Sequence, residues 1–446
     1  MRYPHIRKAE PRDYDSIWAI WMQDHIIQWM SFPKQTKEEF LNQYARMEKA
    51  SDIYVVIDKI NEEEKIVAVR RIKFGKGQHQ HIAEYCSMGV DQEYLGKGYA
   101  KFLYEEFEKI AREAGVKRIQ LTQSGGNEAA FHIADKNFSE EAIFPDWLKR
   151  SDNNGDYYLI ERYIYRFLDE ELALIAPKLP TLKYEEIFPQ IHNQMENRSI
   201  TINRVDNQFI CYFQDEPLLT VDFDPDDSVI PHIGFLSLQL HSNDNQAEAI
   251  IGLRKILENL LEEGRVKKLE LFTAERAVAD LCQMTGFFVR GEKIASYYEN
   301  EEYKNELGVE YSFFNIMDAE KLIIAKVSDP IKKASLNQVL SKCSKTIENL
   351  VEENVCDALG ARYLENLIYQ IVRDNLGPNR IYSLSDKRWG PLLEQTPTVL
   401  HEDLVRLYNR SQDSGSAFFK KDNLDSLALL GANSVEKIFS PKIEEY

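Results

Sequence analysis

Two spacings of apolar residues divide the chain, the alternation of strands and the three-to-four-residue recurrence of helices. Residues 5–8 (HIRK) read as a short strand, and SIWAIWMQDHII after it reads as an amphipathic helix capped by Asp13 or Asp15. KEEFLNQYARMEKA at 37–50 predicts a second helix. Three strand-like runs follow: IYVVIDKI from 53, KIVAVRRIKF from 65 and HIAEYCSMGV from 81. They are joined by an acidic turn at Asn61–Glu64 and by Gly75-Lys76-Gly77. QEYLGKGYA then opens a strong helix, KFLYEEFEKIAREAG, stopped at Gly115. A strand (VKRIQLTQ), a short helix (NEAAFHIADKNF) and an aromatic strand (YLIERYIYRFL) close this region near residue 168.

The order of helix, glycine stop and strand recurs. AKFLYEEFEKIAREAGVKRIQL at 100–121 has its counterpart in AIIGLRKILENLLEEGRVKKLEL at 249–271. Upstream of the second copy lie ITINRVDNQFICYF, PLLTVDFD and HIGFLSLQL; downstream lie RAVADLCQMTGFF and the aromatic strand VEYSFFNI. The expected organisation is a tandem of two α/β (α+β) domains, 1–170 and 171–317, with a linker around Ile175–Lys183 and a mainly helical region at 318–446. In that last region LNQVLSKCSKTIENLVEENV and ARYLENLIYQIVRDNL carry helical periodicity, and no motif there carries chemistry.

A length of 446 residues suits two or three domains, and an apolar fraction of 43% is enough for real cores. The 73 acidic against 55 basic residues give a net charge of −18, which argues against nucleic acid or anionic membrane as a partner. Five scattered cysteines without C-x-x-C spacing read as reduced thiols, so the expected compartment is the cytoplasm. The charged start, MRYPHIRKAEPRDYD, is unlike a signal peptide, and no apolar run approaches the ~20 residues of a membrane helix.

The chemistry concentrates in AEYCSMGVDQEYLGKGYAKFLYEEF. A strand ends near Val90, a glycine-rich turn follows, and a long helix begins near Gly98, so unpaired N–H groups and the positive end of the helix dipole face one place. Gly96, Gly98 and small Ala100 let backbone amides close around a pyrophosphate, and Lys97 adds a charge or simply faces solvent. No G-x-x-x-x-G-K-[ST] is present, and G-x-G-x-A falls after four strands rather than after the first, unlike a dinucleotide fold. Gln78-His79-Gln80-His81 puts two histidines on one strand face; without further ligands it reads as a water-exposed hairpin, and no metal is expected.

This order of elements resembles the GNAT family of acyl-CoA-dependent N-acyltransferases, closely over 1–168 and loosely over 171–317. The family motif, Gln/Arg-x-x-Gly-x-Gly/Ala, is matched by Leu95-Gly96-Lys97-Gly98-Tyr99-Ala100, with Leu95 replacing the leading Gln/Arg. The resemblance implies acetyl-CoA as co-substrate and direct attack by an amine on its thioester. It implies oxyanion stabilisation by the backbone of a splayed fourth strand at Met88–Val90, and an asparagine, Asn127, facing the pantetheine arm; Asn127 reads equally as an N-cap. Glu84, fourteen residues before Gly98, is the candidate base, with a solvent-facing or ion-paired glutamate as the alternative. Alternation places Glu84, Cys86 and Met88 on one face. The short helix offers no tyrosine as general acid. Trp18, Trp21, Trp29 and Phe32, and the stretch Phe144-Pro145-Asp146-Trp147, border the acceptor site by resemblance, while the helical spacing of Trp18 and Trp21 makes core packing the stronger reading for those two.

In the second copy Gly98 and Ala100 fall on Ala247 and Ala249 around Glu248, and Glu84 falls near Ile233, which predicts a lobe without catalysis. The acidic run Glu299–Glu306 reads as a solvated face. The function expected is acetyl transfer to an amine, of a small molecule or a protein lysine. The rival is an inactive scaffold of the same fold that docks a protein through its second and C-terminal regions.

Overall fold

A computed structural model describes residues 4–125, 127–134, 136–152, 155–169, 172, 200–225, 230, 232–242, 244–328, 330–352 and 358–376. The first half opens with β1 (His5–Lys8), α1 (Tyr14–Trp21), α2 (Asp24–Ile27), α3 (Lys37–Ala50), β2 (Asp52–Ile60), β3 (Glu63–Phe74) and β4 (Ile82–Val90). It continues with α4 (Tyr99–Glu113), β5 (Arg118–Ser124), α5 (Glu128–Ala134), β6 (Ser139–Asp152) and β7 (Gly155–Phe167). The second half comprises β8 (Ile200–Val205), β9 (Gln208–Phe213), β10 (Glu216–Pro225), β11 (Ile233–Leu240), α6 (Gln246–Glu263), β12 (Lys268–Thr273), α7 (Arg276–Thr285), β13 (Phe288–Glu299) and β14 (Glu302–Ser312). Three helices follow: α8 (Ile316–Leu322), α9 (Pro330–Glu352) and α10 (Ala358–Leu376). The proposed linker and residues 377–446 lie outside the described residues.

Most expected elements are present, with instructive differences. Helix α3 spans the expected residues and starts at a capping box between Thr36 and Glu39. The expected helix over 16–27 is two helices, because the turn at Met22-Gln23 redirects the chain. ITINRVDNQFICYF is a hairpin, turned at Asp206 with φ 53°. Strands β6 and β13 were not anticipated at all, since bulges and charged residues interrupt their alternation.

Among the described residues, the fourteen strands form one mixed sheet in the order β1-β2-β3-β4-β5-β7-β6-β13-β14-β12-β11-β10-β9-β8. Read outward from the centre, the second half repeats the order of the first. The halves meet through β6 and β13 at a single pair, Ala142 opposite Gly291. A Cβ on Gly291 would lie 2.1 Å from the Glu141 carbonyl oxygen and 2.4 Å from the Ala142 Cα, so only glycine permits this approach.

Corresponding bulges flank the junction. In β6 the register slips between Phe144 and Leu148, with Asp146 at φ 53°; in β13 it slips between Lys293 and Tyr297, with Ala295 at φ 49°. Each bulge turns carbonyls toward the other half. His81, just before β4, donates through Nε2 to the Ala295 carbonyl at 2.8 Å; His232, just before β11, donates to the Asp146 carbonyl at 2.9 Å. His79 contacts the Ser296 carbonyl at 2.8 Å, so the expected water-exposed histidine pair is instead part of the junction. The buried Asp146 carboxylate accepts from Tyr369 Oη at 2.9 Å and Arg373 at 2.7 Å, which fastens α10 to the same bulge. Part of the acidic run is also interior: Asn305 is buried and its side chain accepts from Ala295 N–H.

Burial lowers the pKa of both junction histidines, that of His232 to about 4. A histidine whose folded pKa lies below its ordinary 6.5 contributes stability that is complete above pH 6.5 and lost as pH falls from there toward 4. For His232 the loss is roughly 3 kcal/mol. Chemical unfolding measured from pH 7.5 to 4 should show this decline, and His232→Gln, which keeps a donor but cannot titrate, should flatten it.

Candidate active site

Strands β4 and β5 run parallel for only three pairs, Ile82–Arg118, Ala83–Ile119 and Glu84–Gln120, and then part. Beyond Glu84, β4 stays on β3 while β5 stays on β7, so a gap opens between residues 86–90 and 121–124. The sheet's two faces are distinct here. Ala83, Tyr85, Ile119, Leu121 and Ile164 pack with Leu103 and Phe107 of α4. Gln123 bonds to the Ala130 carbonyl of α5 and Arg162 lies over Phe131, on the same side. The opposite face therefore carries Glu84 on β4, Gln120, Thr122 and Ser124 on β5, and Glu161 and Tyr163 on β7. Ser124 Oγ, 3.4 Å from the Trp29 carbonyl, ties that face to the segment after α2.

Glu84 is one-third exposed, with Lys73 Nζ at 3.9 Å across the β3–β4 pair. Met88 does not share its face. A bulge at Ser87 (φ 34°) shifts the register between Cys86 and Gly89, so Met88 packs against the α4 side and Gly89 faces Trp21 and Ile26. Val90 is buried beside α4, and its carbonyl accepts from His25 Nε2 at 3.0 Å. Burial pushes the Cys86 thiol up to about 12, which keeps it protonated.

The turn after β4 is built on two glycines. Gly96 (φ 74°) and Gly98 (φ 89°) occupy the left-handed region, and open space lies where their Cβ atoms would be. Gly98 is the N-cap of α4 without any side-chain cap, and its carbonyl accepts the first helical N–H, that of Phe102, at 3.0 Å. Among the described residues no backbone acceptor takes the N–H groups of residues 96–101. Lys97 Nζ lies over the Tyr94 ring at 4.6 Å, and Ala100 packs against the core. Tyr99 is buried with its hydroxyl 2.5 Å from Asp58, and this bond and burial raise its pKa to about 12; it is an anchor of the helix start. Leu95 points outward, half exposed.

Asn127 caps α5: its side-chain oxygen accepts from Ala130 N–H at 3.1 Å. Trp21 and Phe32 are core residues of the α1–α3 side, and Trp18 is bonded to the Gln35 carbonyl. The stretch Phe144–Trp147, expected beside the acceptor, is the β6 bulge that receives the second half, with Lys268 Nζ on the Pro145 carbonyl at 2.6 Å.

Glu161 and Tyr163 escaped the reading of the sequence. The signal available was a carboxylate set within an aromatic-rich strand; what it faces depended on β5 lying alongside.

The second half keeps the parting but not the parts. β11 and β12 pair at Ile233–Lys268, Gly234–Leu269 and Phe235–Glu270. By register Phe235, not Ile233, stands where Glu84 does, and it packs on Trp147 with ring centroids 6.0 Å apart. Helix α6 is N-capped at Asn245, two residues before the expected equivalent Ala247, and no glycine precedes it in 241–245.

The first half is thus a mixed α/β sheet whose two parallel strands, β4 and β5, part beside a glycine turn with bare helix amides. Residues 14–138 match the family described as Acetyltransferase (GNAT) family, and over that stretch the chain is a GNAT-family domain. Similar solved structures include an N-acetyltransferase from Staphylococcus aureus Mu50 (21% identity, TM-score 0.32, covering 38% of this chain and 100% of that one). Another is the ribosomal-protein-S18-alanine N-acetyltransferase from Escherichia coli (17%, TM-score 0.29, 37% and 94%). A third is a GNAT superfamily phosphinothricin acetyltransferase from Sinorhizobium meliloti in complex with acetyl-CoA (14%, TM-score 0.31, 38% and 90%). No curated protein matches the chain. Among the described residues no helix is long and apolar enough to cross a membrane, and no group of three potential metal ligands occurs.

If Asn127 acts as a cap, Asn127→Ala should cost about 1 kcal/mol of unfolding free energy, and Asn127→Asp should restore most of it. Acetyl-CoA affinity, measured alongside, should stay constant across the three proteins.

Proposed function

We propose that the chain is an N-acetyltransferase that moves acetyl from acetyl-CoA to an amine, with the chemistry in the first half. The observation that carries this reading is the set of N–H groups at 96–101, without backbone acceptors, at the mouth of the gap between β4 and β5. A diphosphate fits that cradle because it accepts several N–H bonds at the positive end of α4. The pantetheine arm would lie along the unpaired edge of β4, whose backbone then faces the developing oxyanion. Glu84, on the opposite side from α4, is placed to take the proton from an acceptor ammonium, since only the neutral amine has a lone pair to attack with.

The domain division at 1–170, 171–317 and 318–446 belongs to the same proposal and is supported by the repeated strand order. The second half is the non-catalytic partner: Phe235 and Trp147 occupy the place of a base and its cleft, and Glu248 lies in the first turn of α6. The exposed Leu95, where the family has Gln or Arg, favours the second reading, a GNAT fold that binds without transferring.

Two measurements separate these readings. In titration calorimetry Gly98→Glu should weaken acetyl-CoA binding at least tenfold; equal affinity would remove the loop from the site. Glu84→Gln should lower turnover of a cationic amine most strongly at low pH, where the amine cannot shed its proton unaided, and leave cofactor affinity unchanged. Cofactor binding without thiol release from any amine would establish the scaffold.

A further inference from the structure

The face of the parted strands holds a second carboxyl that the proposed transfer leaves unused. Glu161 is 6% exposed, the Thr122 hydroxyl bonds to it, and its Oε2 has no partner. It stands opposite Ser124, in the very stretch of β5 that β4 has left, and on the same face as Glu84. A buried carboxyl with an empty oxygen is costly to keep unless that oxygen meets something in the working state.

Resting on the acetyl-transfer reading above, we propose that Glu161 is the proton donor to the leaving thiolate, the acid that the short helix α5 does not supply. The acceptor ammonium gives one proton to Glu84, and the freed lone pair bonds to the thioester carbonyl carbon. The nitrogen then sheds its second proton, the C–S bond breaks with its electron pair going to sulfur, and the proton on Glu161 moves to that sulfur. One of the two protons released by nitrogen resets Glu161 and the other leaves to water through Glu84, so the sum is amide, free thiol and one proton.

The surroundings favour a protonated Glu161 at rest. Burial raises its pKa well above the ordinary carboxylate range, and Glu270 on β12 and Glu84 on β4 add to that, while Lys268 on β12 and the Thr122 hydroxyl oppose it. Tyr163, next along β7 on this face, is itself held protonated by burial. Two carboxyls on one sheet face in different settings, one part-exposed and one buried, divide naturally into base and acid.

The experiment follows thiol release from acetyl-CoA by the full chain, with hydroxylamine, which is neutral near pH 7, and with a panel of cationic amines. Glu161→Gln should lower kcat at least tenfold with both kinds of nucleophile, leave both KM values unchanged and abolish the alkaline fall of kcat; Glu84→Gln should spare hydroxylamine. Glu161→Asp should recover part of the loss. Thr122→Val, which leaves Glu161 in place, should move the alkaline fall to higher pH. Wild-type kcat in Glu161→Gln, or an equal loss at every pH with raised KM, would overturn the assignment. A wild-type protein that releases no thiol with any nucleophile overturns the transfer reading beneath it.

Discussion

The architecture depends on two bulges that face each other across the middle of the sheet. At Asp146 and Ala295 the backbone enters the left-handed region, and the carbonyls so exposed would be orphaned in the interior if the opposite half did not supply a donor. His81 and His232 supply it, one from each half, and each must carry a proton on Nε2 to do so. Gly291 sets the distance, because any side chain there would strike the backbone of β6. The Asp146 carboxylate adds a third body, drawing in Tyr369 and Arg373 of α10. Such a fully paired buried charge fixes geometry more than it adds stability.

This junction leaves the two halves with different surroundings where their parallel strands part. The β6 bulge brings Trp147 onto Phe235, the residue that holds the register position of Glu84 in the second half. The β13 bulge presents Ala295 and Ser296 in return, and both face the junction histidines through their carbonyls. The same fold, repeated with different side chains at one register position, thus keeps a carboxylate where the strands part in one half and a phenyl ring in the other. Residues 14–138 of the first half are the stretch that matches the acetyltransferase (GNAT) family.

Local features were readable from residues alone. Helix α3 announces its start through Thr36 and Glu39, and the glycine turn at 96–98 announces positive φ and bare amides. The Glu84 assignment to β4 followed from alternation, but its extension to Met88 failed because a bulge at Ser87 reverses the faces beyond it. A one-residue slip moves every later side chain across the sheet. Of the two readings that Asn127 offered, the N-cap depends on where Ala130 N–H lies, which the fold supplies. His79 and His81 looked like a solvated hairpin because their partners lie more than two hundred residues along the chain.

The sequence by itself determined periodicity, the glycine turn and the recurrence of one plan, since each is carried by residue patterns along the chain. Tertiary structure alone decided how the halves join, which face each strand residue takes beyond a bulge, and that Glu161 shares a face with Glu84. Those facts depend on pairing between distant strands, where register is set by the mutual burial of both partners and no local pattern records it.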